Sequence, residues 1–160
     1  MKFIFCGGNL PLSVIIQGKT NSRWSHCAVV DPRDDQKVIE AIVTVPFMQK
    51  GGVVNGELKH LSEYHTRIHL LDVPLPNEQA ASEFIIGQIG KGYDYSGLFG
   101  AALRRSDWQN PNKWYCSELP AMACKIGELD ALEYDYYKVV IPETLYLPLY
   151  AKSRNRVVIL

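Results

Sequence analysis

Cys116 lies in the run Trp114-Tyr115-Cys116-Ser117-Glu118-Leu119, after the polar, turn-prone stretch Asp107 to Lys113 and at the start of an apolar helical pattern that reaches Ile126. A thiol in such a place meets unpaired backbone N–H groups and the positive end of the helix dipole. Both favour the thiolate, the form that attacks carbonyls, and the same N–H groups can stabilise the oxyanion that follows. The competing reading is a small buried residue at a helix start, a role cysteine often fills. A thiolate also needs a proton partner. His26 opens the run His26-Cys27-Ala28-Val29-Val30, so its imidazole stands at the end of a strand, where a cleft can reach it.

Glu40 is the third residue of interest. In a strand, Val38, Glu40 and Ile42 share one face while Ile39, Ala41 and Val43 fill the other, and a carboxylate is out of place in such company. If the hairpin pairs even-numbered with even-numbered residues, Glu40 shares a face with His26 and can orient its ring. A slip of one residue sends it to the opposite face. The sequence leaves both registers open.

The elements that must carry these residues fall into two compositional halves without a linker. Up to about Pro74 the reading is β-rich: strands at Lys2 to Cys6, His26 to Asp31, Lys37 to Val43, Gly52 to Asn55 and Thr66 to Val73. Pro32 to Gln36 forms a hairpin turn, and a helix runs from Pro11, with Leu12, Ile15 and Ile16 on one face, to a stop at Gly18. After Pro74-Leu75-Pro76 helical periodicity takes over. Asn77 caps a helix striped by Ala80, Phe84, Ile85 and Ile89 and ended by Gly90; further helices are expected at Ser96 to Leu103, Tyr115 to Ile126 and Pro142 to Leu147, with a last strand at Val157 to Leu160. Strands followed by helices predict an α+β fold rather than repeating βαβ units.

The order Trp24-Ser25-His26, Val38-Ile39-Glu40-Ala41, Gly92-Tyr93-Asp94-Tyr95, then Tyr115-Cys116-Ser117-Glu118-Leu119 resembles the circularly permuted papain-like hydrolases, in the YiiX-like branch of the NlpC-type superfamily, which is distantly similar to lecithin:retinol acyltransferase. In the permuted group the histidine strand precedes the cysteine, as here. The resemblance runs from Phe3 to about Leu147 and departs at Phe5-Cys6-Gly7-Gly8, where Gly-Asp is often found. It implies a papain-like domain with an antiparallel sheet or small barrel packed on a helical half and the cysteine at a helix N-terminus. It implies Cys116 as nucleophile, His26 as base and then acid, Glu40 as orienting residue, and the Cys116 N–H as an oxyanion donor. Tyr93, Tyr95 and Tyr115 are candidates to contact substrate, and Glu118 is read as a carboxylate that helps the helix start. The activity implied is cleavage of an amide in a peptide, cell-wall fragment or acylated small molecule through a thioester; the alternatives are a thiol acyltransferase and a domain that binds such molecules without turnover.

Composition narrows the field further. A chain of 160 residues suits one domain, and seventeen acidic residues against seventeen basic ones give no electrostatic case for nucleic acid. No apolar run approaches the ~18 residues of a membrane span, and the first residues lack a signal-peptide core, so a cytoplasmic location is expected, with a signal-independent route elsewhere left open. Cys6, Cys27, Cys116 and Cys124 lack paired C-x-x-C spacing and are expected as free thiols. No cofactor or metal is expected. Gln17-Gly18-Lys19-Thr20 ends like a phosphate loop but lacks its first glycine, and His60, His65 and His69 flank a strand with opposed side chains. Tyr134, Tyr136 and Tyr137 read as a loop or interface patch. Oligomeric state is not legible in the sequence.

Overall fold

The computed structural model describes residues 1–9, 11–44, 51–103, 105–110, 112–130 and 139–158. Its frame is an antiparallel sheet built from β1 (Lys2–Gly7), β2 (His26–Asp31), β3 (Asp34–Ile42), β4 (Gly52–Glu57), β5 (Arg67–Asp72) and β8 (Asn155–Val158), in the order β4-β3-β2-β1-β5-β8. The fold is therefore α+β, and among the described residues the sheet is open, with β4 and β8 at its edges, rather than closed into a barrel. A short parallel pair, β6 (Gly92–Tyr93) with β7 (Lys113–Trp114), stands apart from it. The helices are α1 (Pro11–Thr20), α2 (Leu58–Tyr64), α3 (Glu78–Gly87), α4 (Tyr95–Ala102), α5 (Glu118–Ile126) and α6 (Pro142–Lys152).

Alternation along the strands gives the sheet two faces. Phe3, Phe5, Cys27, Val29, Ile39, Ala41 and Leu71 pack against Ala81 and Ile85 of α3, Leu119 and Ala123 of α5, and Leu145 and Leu149 of α6, forming the larger core. On the other face Ile4, Cys6, Ala28, Val30, Val38 and Ile68 are covered by Leu61 of α2.

Several elements differ from the sequence reading for identifiable reasons. β3 begins at Asp34 because the turn after β2 is tight: the Asp31 carboxylate accepts from the Arg33 backbone N–H at 2.9 Å and is gripped by its guanidinium. Helix α1 continues through Gly18 to Thr20, and its inward face carries Ser13 and Ile16 while Val14 and Ile15 are exposed. Helix α6 continues past Leu147 in spite of Pro148. A helix-interior proline costs about 3 kcal/mol, and burying Leu145 and Leu149 completely on the sheet recovers about 1.5–3 kcal/mol each. The last strand begins at Asn155, two residues earlier than expected. Asn77 does cap α3, accepting from the Ala80 N–H at 3.2 Å, but the helix ends at Gly87 rather than Gly90. Tyr134, Tyr136, Tyr137, Ile159 and Leu160 lie outside the described residues.

Candidate functional site

The β2–β3 register pairs Ala28 with Glu40 and Val30 with Val38, which puts Glu40 on the face that carries His26. The two side chains meet, His26 Nε2 to Glu40 Oε2 at 2.5 Å. His26 is the first residue of its strand, opposite Cys6 of β1. The loop before it is tied down at two points: Ser25 N–H donates to the Cys6 carbonyl at 2.9 Å, and Glu143 at the start of α6 accepts from the Arg23 N–H at 2.9 Å.

Cys116 arrives from the helical side of the molecule. Residues Cys116 and Ser117 form the turn into α5, with the first helical bond, Leu119 N–H to the Tyr115 carbonyl, spanning them at 3.3 Å. The Ser117 hydroxyl donates to the Val140 carbonyl at 2.8 Å and so makes no side-chain cap. Upstream, the β6–β7 pair sets Tyr93 opposite Trp114, and buried Asp94 accepts from the N–H groups of Gly97 and Asn110, joining the start of α4 to the approach to Cys116. The Cys116 side chain lies beside His26 and its backbone beside the Tyr93 hydroxyl, near enough to shift the ionisation of both.

Cys116, His26, Glu40 and Tyr93 all line one cavity of about 440 Å³. Burial alone would lower the pKa of His26, but hydrogen bonds to Cys116 and Glu40, with the attraction of both, outweigh it and raise the value to about 10. His65, at the end of α2, stacks on His26 with ring centroids 5.7 Å apart and planes 3° from parallel. Burial, then the charge of His26, pushes His65 down to about 4, so it is a neutral ring over a charged one. Its Nδ1 is buried without a hydrogen-bond partner among the described residues. The sequence offered His65 as one of three clustered histidines and gave no sign of this stack, which exists because α2 folds where no helix was expected. His69 lies on the other face, against Trp24 and Tyr146, so the histidines are indeed opposed.

Of the tyrosines nominated for substrate, only Tyr93 lines the cavity. Tyr95 is 44% exposed and its hydroxyl accepts from the Thr44 N–H, while Tyr115 is wholly buried in the core behind the helix. The other thiols are also set apart. All four cysteines are buried, but Cys6, Cys27 and Cys124 do not line the cavity, and desolvation pushes these three upward.

Comparison with known proteins follows from this geometry. No family model matches the chain, and no match was found among curated proteins. Among solved structures, the metalloprotein yiiX from Escherichia coli O157:H7, DUF1105, aligns over 99% of this chain and 94% of its own with a TM-score of 0.63 and 17% identity. The fold is YiiX-like. At that identity the likeness speaks for architecture alone. Among the described residues no helix is long and apolar enough to cross a membrane.

Glu118 occupies the helix start expected of it but is buried there. It stands at the first helical position, where a carboxylate is favoured by the dipole, yet it is only 6% exposed and its Oε2 has no hydrogen-bond partner among the described residues. Burial raises its pKa to about 8, opposed by a backbone hydrogen bond at Tyr115 and reinforced by Asp94. A carboxyl whose folded pKa is raised destabilises the fold progressively as pH climbs from its ordinary 4.5 to about 8. Glu118→Gln is therefore expected to raise the melting temperature by about 2–4 °C at pH 8 or above and to change it little at pH 5. Thermal melts at the two pH values check this.

Proposed function

We propose that the chain is a cysteine hydrolase of the circularly permuted papain-like kind, cleaving an amide bond through a thioester held on Cys116. One observation carries the reading: His26, hydrogen-bonded to Glu40, shares the wall of one cavity with Cys116, which acts with Glu40 to favour the charged imidazole. The YiiX-like architecture is consistent with it.

In this reading the Cys116 sulfur, as thiolate beside the His26 imidazolium, attacks the carbonyl carbon. The S–C bond forms and the carbonyl electrons move to oxygen. Collapse breaks the C–N bond as His26 gives its proton to the leaving amine, and a water deprotonated by His26 then releases the acid and frees the sulfur. Glu40 holds the imidazole in place and favours its charged form. Because Tyr93 lines the cavity with Cys116, its O–H is assigned as an oxyanion donor. Tyr93→Phe should lower kcat by roughly 10²–10³ with little change in KM, read by steady-state kinetics.

Among the described residues no group of three or more His, Cys, Asp or Glu side chains is placed to hold a metal ion, and no step above involves one.

Mass spectrometry of wild type and Cys116→Ser after incubation with acyl amides and muropeptides tests the reading. A covalent acyl adduct on the wild type, absent from Cys116→Ser, supports hydrolysis or transfer. No adduct and no product across the panel would favour a binding domain and overturn the enzyme.

A further inference from the structure

We propose that the cavity beside Cys116 receives the aliphatic chain of an uncharged acyl amide, and that Gly56 in its floor sets the chain length. The choice of amide rests on the hydrolase reading; the choice of an aliphatic chain rests on the cavity.

The floor is the face of β3 and β4 that carries Glu40. Register pairs Glu40 with Val54 and Val38 with Gly56, so Ile42, Val54 and Gly56 continue the surface outward from His26 and Glu40. Ile16 of α1 and Leu61 and Tyr64 of α2 form the walls. A volume of about 440 Å³ is within the ~300–1,000 Å³ of small-molecule pockets.

Charge decides between chain types. Among the described lining residues there is no lysine or arginine, while Glu40 and Glu57 are both present. Of the three lining histidines, His26 is engaged with Glu40 and Cys116, burial pushes His65 toward neutrality, and His60 is exposed to solvent. A carboxylate-bearing peptide stem would set its charge beside Glu57 with no lysine or arginine to meet it, the charged His26 being already paired with Glu40. A methylene chain meets no such opposition and gains from every carbon it buries.

Gly56 supplies the independent observation. It lies inside a strand, where glycine weakens the ladder and marks a close approach by another group. Its backbone is not in the left-handed region, so conformation does not demand glycine here. A Cβ added there would meet only Glu40 Oε1, at 3.4 Å. The missing side chain therefore adds to the cavity, and restoring one shortens it.

A series of N-acyl aminomethylcoumarins from acetyl to dodecanoyl, kept below micellar concentrations, tests this on wild type, Gly56→Ala and Gly56→Ile. For wild type, kcat/KM should rise about threefold to fourfold per methylene until the cavity is full. In Gly56→Ile the plateau should come at a shorter chain and the decanoyl-to-butyryl ratio should fall at least tenfold, with Gly56→Ala between. A wild-type rate independent of chain length, an unchanged ratio in both variants, or faster cleavage of acidic peptides would overturn the proposal. Calorimetry of decanoyl amide with Cys116→Ala separates it from the enzymatic reading. Chain-dependent binding there, with no turnover by wild type, removes the hydrolase and keeps the acyl cavity; turnover without chain dependence does the reverse.

Discussion

Cys116→Ser is expected to lower kcat/KM by roughly 10⁴–10⁶ while leaving the melting temperature within a few degrees of wild type. The magnitude follows from the way a nucleophile and its base act as one unit, so that removing the nucleophile alone forfeits nearly all of their joint effect. Serine keeps the size and the place of the side chain but is far less readily ionised, and a hydroxyl beside an already charged imidazole has no base to take its proton. The structural cost is small because Cys116 faces the cavity and belongs to neither core cluster. Steady-state kinetics on any acyl amide that wild type turns over, paired with a thermal melt, reads both quantities. Activity within tenfold of wild type would remove Cys116 from the chemistry.

Glu40→Gln has the next largest effect, roughly 10²–10⁴ in kcat/KM, together with a change in pH dependence. Glutamine preserves the shape and a hydrogen bond but removes the negative charge that helps hold His26 protonated. With His26 raised to about 10, the basic limb of the wild-type rate profile, where the acid for the leaving amine is lost, should lie near that pH. In the variant the limb should move toward the ordinary histidine value of ~6.5. Stability carries the same sign. A histidine raised in the fold stabilises it fully below pH ~6.5 and loses that contribution as pH climbs through about 10. The wild type should therefore lose melting temperature between pH 7 and 10 more steeply than Glu40→Gln. Parallel slopes would mean that Glu40 does not govern the ionisation of His26.

How far the sequence revealed this site depended on the distance over which each element is determined. The β2–β3 hairpin is local, and alternation through Val38, Glu40 and Ile42 foretold the two faces; only the register was open, and the irregularity between Val30 and Asp31, which shifts the pairing from Asp31–Asp34 to Val30–Val38, decides it. Helix α2 escaped notice because Leu58–Tyr64 is too short to show a period, and its single buried residue, Leu61, gains meaning only once β1, β2 and β5 supply the surface beneath it. His65 was therefore visible as a residue and invisible as a neighbour of His26. Tyr115 looked the equal of Tyr93 because aromatic type says nothing about direction. The β6–β7 pairing, two residues on each side, turns one toward the cavity, and the turn into α5 sends the other into the core. The burial of Glu118 was hidden for a related reason. Its position suits a helix start, but packing that seals the same position from water depends on contacts far away in the chain.

Rates of alkylation resolved by cysteine measure the central association most directly. With iodoacetamide at neutral pH, followed by peptide mass spectrometry, Cys116 should be labelled well ahead of Cys6, Cys27 and Cys124 in wild type and should lose that lead in His26→Ala. Equal labelling of all four thiols, or a Cys116 rate that ignores the loss of His26, would contradict the pairing on which the proposed chemistry stands.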